Sequence, residues 1–241
     1  MKFIIFFTCI LAALSVHAKD YTYNVDGKPY EGFYIDKGKS SGLIFIVHDW
    51  DGLTDYEKKR SQMLADLGYS VFAMDLYGKG IRPEELKDKK ALTSGLYGNR
   101  KKMKMLMNAA YQQAKKLGLN VNKAVALGYC FGGTSILEWA KSGIHLKGFA
   151  SFHGGLGLQK EDNYKSTKSK IIVFHGSADE SVSMTDFAQL TEHLESHKIP
   201  HEMITYSGAP HAFSVFDSPR YRKDADQKSW NRFREFLTET L

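Results

Sequence analysis

Four short apolar runs, at 43–47, 70–74, 124–127 and 171–174, set the terms for this chain. Each is almost free of polar residues, which is the pattern of a strand buried on both faces rather than one with a wet side. Between them lie longer stretches with helical spacing. They are expected at 55–67, 83–92, 99–117, 133–141, 184–197 and 223–237, with Gly68 and Gly118 closing the first and third. Further strands are expected at 148–152 and 203–206. An extended entry at 21–35 turns at Asp26-Gly27 as a hairpin. Strands alternating with helices specify an α/β fold with a mostly parallel central sheet and helices on both faces. In such sheets a ligand site lies beyond the carboxyl ends of the strands.

The first eighteen residues read differently. Lys2 precedes an apolar stretch at 3–16, and Val16-His17-Ala18 ends it with small residues at the positions a signal peptidase reads. A signal peptide at 1–18 is expected, with one domain at 19–241 and an exported product, periplasmic or secreted. An uncleaved N-terminal anchor is the alternative. Hydrophobic content of 43% and charged content of 25% suit a folded domain of this length.

The net charge of +6 is spread along the chain except at Arg100-Lys101-Lys102 and Lys104. That run interleaves with Met103, Met105, Leu106 and Met107, so it reads as the solvated face of a helix with an apolar back. No motif points to nucleic acid, and no membrane partner is expected once the leader is removed. A monomer acting on a small molecule is expected.

Of two cysteines, Cys9 falls in the leader and Cys130 in the domain. A lone thiol cannot form an internal disulfide and is a liability in an oxidising compartment. Its surroundings supply a reason for it. Gly128-Tyr129-Cys130-Phe131-Gly132-Gly133 stands between an expected strand and an expected helix, as in a nucleophile elbow. The plainer alternative is a buried cysteine beside a glycine-rich helix start. His211 follows the last strand, where a general base belongs. Asp179 follows the strand at 171–174, where its orienting acid belongs. The chain order Cys130, Asp179, His211 is that of α/β-hydrolases, although a loop histidine and a turn aspartate are the bland readings of the last two. An oxyanion hole is expected from the N–H groups of Phe131 and Trp50, with Asp49 close to Cys130.

At these residues the sequence resembles the dienelactone hydrolase family, as an exported member. The resemblance rests on Gly-Tyr-Cys-Phe-Gly-Gly at 128–133, Asp-Leu-Tyr-Gly at 75–78, Gly-Ser-Ala-Asp at 176–179 and Pro-His-Ala-Phe at 210–213. It implies cofactor-free hydrolysis of a small ester or enol lactone, carboxymethylenebutenolidase-type chemistry, through an acyl-enzyme on Cys130. It also implies a carboxylate coupled to the resting nucleophile, typically Glu in the family and Asp49 here. Basic residues would grip a substrate carboxylate. Lys79 stands at one such position and Val215, uncharged, at the other.

His153, Tyr77 and Phe213 are further candidates for substrate contact, with core packing as the alternative for each. His48 and His175 read as structural. His193 and His197 have the spacing of metal ligands but no third partner, so no metal is expected. A non-catalytic small-molecule binding protein on the same fold is the competing reading. A thiol redox protein is disfavoured because no Cys-x-x-Cys is present.

Overall fold

The computed structural model describes residues 17–241. The expected leader lies outside the described residues except for His17 and Ala18, which open the first strand. That strand, β1 (His17–Val25), folds back onto β2 (Lys28–Asp36) as an antiparallel hairpin. Asp26 and Gly27 both have positive φ, 49° and 75°, as a two-residue type I′ turn demands.

The expected alternation follows: β3 (Leu43–Val47), α1 (Asp55–Asp66), β4 (Ser70–Met74), α2 (Leu86–Tyr97) and α3 (Arg100–Lys116). Next come β5 (Ala124–Tyr129), α4 (Phe131–Lys141), β6 (Gly148–Phe152), β7 (Lys170–Gly176), α5 (Met184–Ser196), β8 (His201–Tyr206) and α6 (Lys223–Thr240). All eight strands form one sheet in the order β1-β2-β4-β3-β5-β6-β7-β8. Pairing is parallel from β4 across to β8, and antiparallel where β2 meets β1 and β4.

The apolar runs are explained by the two cores. Leu43, Phe45 and Val47 of β3 join one core with Met103 and Leu106 of α3 and Trp139 of α4. Ile44 and Ile46 join the other with Leu64 of α1 and Phe233 and Phe236 of α6. Alternate side chains therefore meet apolar layers on both sides, and the strand has no polar position left.

Two boundaries differ from expectation in ways that shape the site. α2 was expected at 83–92 and instead spans Leu86–Tyr97. Glu85 stays extended as its cap, while Thr93 and Leu96 are buried and carry the helix past Gly95 to Gly98. The turn between β5 and α4 is also tighter than expected. Cys130 alone separates strand from helix.

Between α1 and α6 lies a buried ion pair. The Arg60 guanidinium is fully buried and donates to the Asp226 carboxylate and, at 2.8 Å, to the carbonyl of Ser214. The rings of Phe216 and Trp230 cover it at 4.2 and 4.9 Å. Removing one partner leaves the other charge buried and alone, which costs far more than the pair contributes. Asp226→Ala is expected to lose about 3–5 kcal/mol in urea unfolding. A loss below about 1 kcal/mol would mean that Arg60 finds water or another acceptor.

Candidate active site

The site begins with the turn at Cys130. Its φ of 51° and ψ of −112° lie where side-chain-bearing residues are rarely found. The backbone is held there by close approach. A Cβ on Gly128 would sit 2.1 Å from the carbonyl oxygen of Gly132, and one on Gly132 would sit 2.2 Å from that of Val47. Glycine at both positions lets α4 start against the sheet and lifts Cys130 off it. The Cys130 N–H is shared between the Phe152 carbonyl, 3.0 Å away, and His153 Nδ1, 3.2 Å away.

Three loops then bring side chains together from distant points of the chain. His211 Nε2 lies 3.0 Å from Cys130 Sγ, and His211 Nδ1 lies 2.8 Å from Asp179 Oδ2. The other oxygen of Asp179 accepts the N–H groups of Ser181 and Val182 at 2.8 and 2.9 Å, so the carboxylate cannot swing away. Burial favours the neutral acid, but the bond and charge of His211, together with the N–H groups of Val182 and Ser181, outweigh it and hold Asp179 below its ordinary range. For His211, burial opposes the charge. The bonds to Asp179 and Cys130 overcome that and push it up to about 10.

Above these residues opens a cavity of about 720 Å³. Trp50 and Phe131 both line it, and among the described residues neither backbone N–H has an acceptor. The Trp50 loop is braced from behind. Tyr77 donates to the Trp50 carbonyl at 3.3 Å, and its ring packs on Phe131 with centroids 5.6 Å apart. His48 donates from Nδ1 to the Asp49 carbonyl at 2.6 Å and accepts the Leu76 N–H at Nε2, 3.0 Å away. Accepting at one nitrogen requires the neutral ring. Burial enforces this, lowering His48 to about 4.

With this geometry in view, comparison with known proteins is informative. The model of the dienelactone hydrolase family matches residues 32–241. The chain belongs to that family. A protein of Escherichia coli (strain K12) provisionally named a carboxymethylenebutenolidase is 23% identical over 207 residues, covering 82% of this chain and 76% of its own. One of Saccharolobus solfataricus with the same provisional name is 25% identical, covering 91% of this chain and 97% of its own. The solved structure of m3DLH superposes with a TM-score of 0.86 at 24% identity, covering 94% of this chain and 99% of that one. A dienelactone hydrolase-like promiscuous phosphotriesterase, P91, from metagenomic libraries gives 0.85 at 25% identity, covering 93% and 98%. Membership makes the protein a hydrolase acting on ester or lactone bonds.

Several residues stand elsewhere in this dienelactone hydrolase family member than the sequence suggested. Asp49 lines the cavity, but its carboxylate accepts the Asp51 N–H at 2.8 Å, and the hydrogen-bond partner of Cys130 Sγ is His211. An aspartate is short enough to close this turn on its own backbone, and no hydrogen bond joins it to Cys130 among the described residues. Burial, with the charges of Glu57 and Asp51 nearby, raises Asp49 well above the usual carboxylate range. Lys79 is exposed and does not line the cavity, since its segment turns away to bond the Pro29 carbonyl. Tyr77 sits behind the Trp50 loop rather than in the cavity. Phe213 is fully buried against Tyr206 and His153. His153 is fully buried beneath the turn and does not line the cavity.

Other residues take the vacated places. α2 presents Leu86, Lys90, Thr93 and Tyr97 to the cavity, spaced as one helical face. Arg100 and Arg220 complete the basic lining. Arg100 pairs with Glu138, whereas Lys90 and Arg220 have no ion-pair partner among the described residues. Arg100 had read as part of a solvated run. The spacing on α2 was present in the sequence, but nothing there announced that this helix covers the strand ends. The His193 and His197 rings lie 4.4 Å apart, tilted by 43°, and no metal-binding group occurs among the described residues.

The lowered His48 has a consequence for stability. Below pH ~6.5 the unfolded chain binds a proton at this residue that the folded chain refuses until about pH 4. Stability therefore falls as pH drops through that window, by up to about 3 kcal/mol from this residue. The buried His153, also lowered, acts in the same direction. His48→Gln is expected to flatten the dependence of unfolding free energy on pH between about 6.5 and 4. An unchanged slope would mean that His48 titrates normally in the folded protein.

Proposed function

We propose that the protein is a cysteine-dependent hydrolase of small esters or lactones, of carboxymethylenebutenolidase type, that works through an acyl-enzyme on Cys130. The observation that carries this reading is the unbroken chain Cys130 Sγ, His211, Asp179, with contacts of 3.0 and 2.8 Å. A nucleophile, a base within reach of it and a group orienting that base form the constellation of covalent acyl transfer.

The steps follow from the geometry. The proton of the Cys130 thiol passes to His211, whose raised proton affinity favours the thiolate–imidazolium pair, and Cys130 Sγ attacks the carbonyl carbon. The carbonyl oxygen becomes an oxyanion held by the N–H groups of Trp50 and Phe131. Collapse expels the alcohol or enol oxygen, which takes the proton from His211 and leaves a thioester. A water then gives a proton to His211 and attacks the thioester carbon. Cys130 leaves as the thiolate and pairs again with the protonated His211, which restores the starting state. Asp179 keeps the imidazole in one tautomer and stabilises its charged form.

Lys90 and Arg220 suit an acyl group that carries a carboxylate, the role for which Lys79 and residue 215 are badly placed. The name shared by the Escherichia coli and Saccharolobus solfataricus relatives, that of a lactone-opening hydrolase, supports the same chemistry class. Export to the periplasm or beyond rests on residues 1–18 alone.

Turnover of an aryl acetate and of a carboxylated enol lactone tests this. Both are expected to be hydrolysed, with the activity abolished in Cys130→Ala. Asp179→Asn should lower kcat on the order of 10³–10⁴-fold, because the imidazole then settles in the wrong tautomer. Undiminished turnover in Cys130→Ala would place the nucleophile elsewhere.

A further inference from the structure

Cys130 and His211 are carried by loops after β5 and β8, and two other strands separate these in the sheet. No backbone ladder connects them, so their 3.0 Å contact needs another tie. His153, at the end of the intervening β6, supplies one. Its Nδ1 accepts the Cys130 N–H at 3.2 Å. Its Nε2 therefore carries the proton and donates to Ser214 Oγ at 2.8 Å. Ser214 lies three residues beyond His211, on the same loop.

The far end of this tie is anchored. Ser214 Oγ is also 3.1 Å from the Tyr56 hydroxyl, and the Ser214 carbonyl accepts from Arg60 at 2.8 Å and Tyr56 at 3.2 Å. Arg60 is held in turn by Asp226. The His153 ring has no exposed surface and packs edge-to-face on His211 at 5.5 Å and on Phe213 at 5.3 Å. The residue adopts a φ of 40°, in the left-handed region that side-chain-bearing residues seldom occupy.

We propose that His153 is a positioning residue, a cross-brace that sets the distance between nucleophile and base by tying the Cys130 turn to the His211 loop. The proposal rests on the reading of Cys130 and His211 as that pair. The brace works only with a neutral ring, because an imidazolium has no acceptor for the Cys130 N–H. Burial, reinforced by the facing charges of His211 and Arg60, keeps it neutral. Loosening either end would let His211 drift from Sγ, and a drift of about 1 Å is enough to cost roughly 10²-fold in rate.

The test compares Ser214→Ala, His153→Leu and His153→Asn, with Ser169→Ala, a buried serine bonded to the Leu146 carbonyl far from the site, as control. Two readouts are used: kcat and KM on an aryl acetate, and the pH dependence of Cys130 alkylation by iodoacetamide. Ser214→Ala and His153→Leu are expected to lower kcat about 10- to 100-fold with KM within about 3-fold. The alkylation profile should move about one unit to higher pH, since a more distant His211 supports the thiolate less. His153→Asn, whose Oδ1 still accepts the Cys130 N–H, should fall between these and the unaltered protein. Ser169→Ala should leave both readouts unchanged. If Ser214→Ala folds and keeps both kcat and the alkylation profile, the brace is refuted, whether or not His153→Leu folds. Alkylation needs no substrate. Failure of the unaltered protein to hydrolyse esters would therefore overturn the proposed function and leave this test standing.

Discussion

One residue of chain separates β5 from α4, and everything in the site depends on that economy. The helix can start so early only because Gly128 and Gly132 let backbone meet backbone with no room for a methyl group. The turn forces Cys130 to a positive φ, points its side chain away from the sheet and sets it at the start of a helix. There the positive end of the helix dipole favours a negatively charged sulfur. The loops after β3, β7 and β8 end on the same edge of the parallel sheet, so Trp50, Asp179 and His211 converge on the one position the turn creates.

The polar groups around that position are sorted by environment. His211 shares a pocket with a carboxylate and a thiol, and is pushed up to about 10 despite its burial. His48 and His153 hydrogen-bond only to neutral groups, and burial pushes both down. Three histidines within one small region thus take opposite states at neutral pH, one able to carry a proton and two that act as fixed donor and acceptor pairs. The neutral pair hold the backbone on either side of Cys130: His48 the Asp49–Trp50 loop, His153 the Cys130 turn itself. Beneath them, Arg60 and Asp226 extend the network into α1 and α6 and join the chemistry to the packing of the helical layer.

Much of this was legible in the sequence, and the exceptions share a cause. The apolar runs and the order of strands and helices were readable because burial on both faces leaves no polar position in a central strand. Cys130, Asp179 and His211 were readable as neighbours because each lies on the connection that follows a parallel strand, at the end where a nucleophile, its acid and its base belong in that chain order, and parallel strands place such ends together. What could not be read was depth. Tyr77, Phe213 and His153 stand within a few residues of strand ends, yet they point beneath the site, because the direction of a loop side chain depends on turns whose geometry is local. The cavity wall on α2 was equally hidden. That helix begins later than Pro83 suggested and covers the strand ends by tertiary packing, so its face of Leu86, Lys90, Thr93 and Tyr97 acquires meaning only in three dimensions. Asp49 illustrates a finer limit: one methylene fewer than glutamate lets one carboxylate oxygen close on the Asp51 N–H, a contact that the sequence does not reveal.

The account turns on covalent chemistry at Cys130, and the most direct measurement is to trap it. The protein is mixed with p-nitrophenyl acetate, whose good leaving group makes breakdown of the acyl-enzyme the slow step, and quenched in acid within the first turnover. Mass spectrometry of the intact chain and of its peptides is expected to find one acetyl group, on the peptide that contains Cys130, released by hydroxylamine as a thioester is. Turnover that proceeds with no adduct, or with the acetyl group on another residue, would contradict the account.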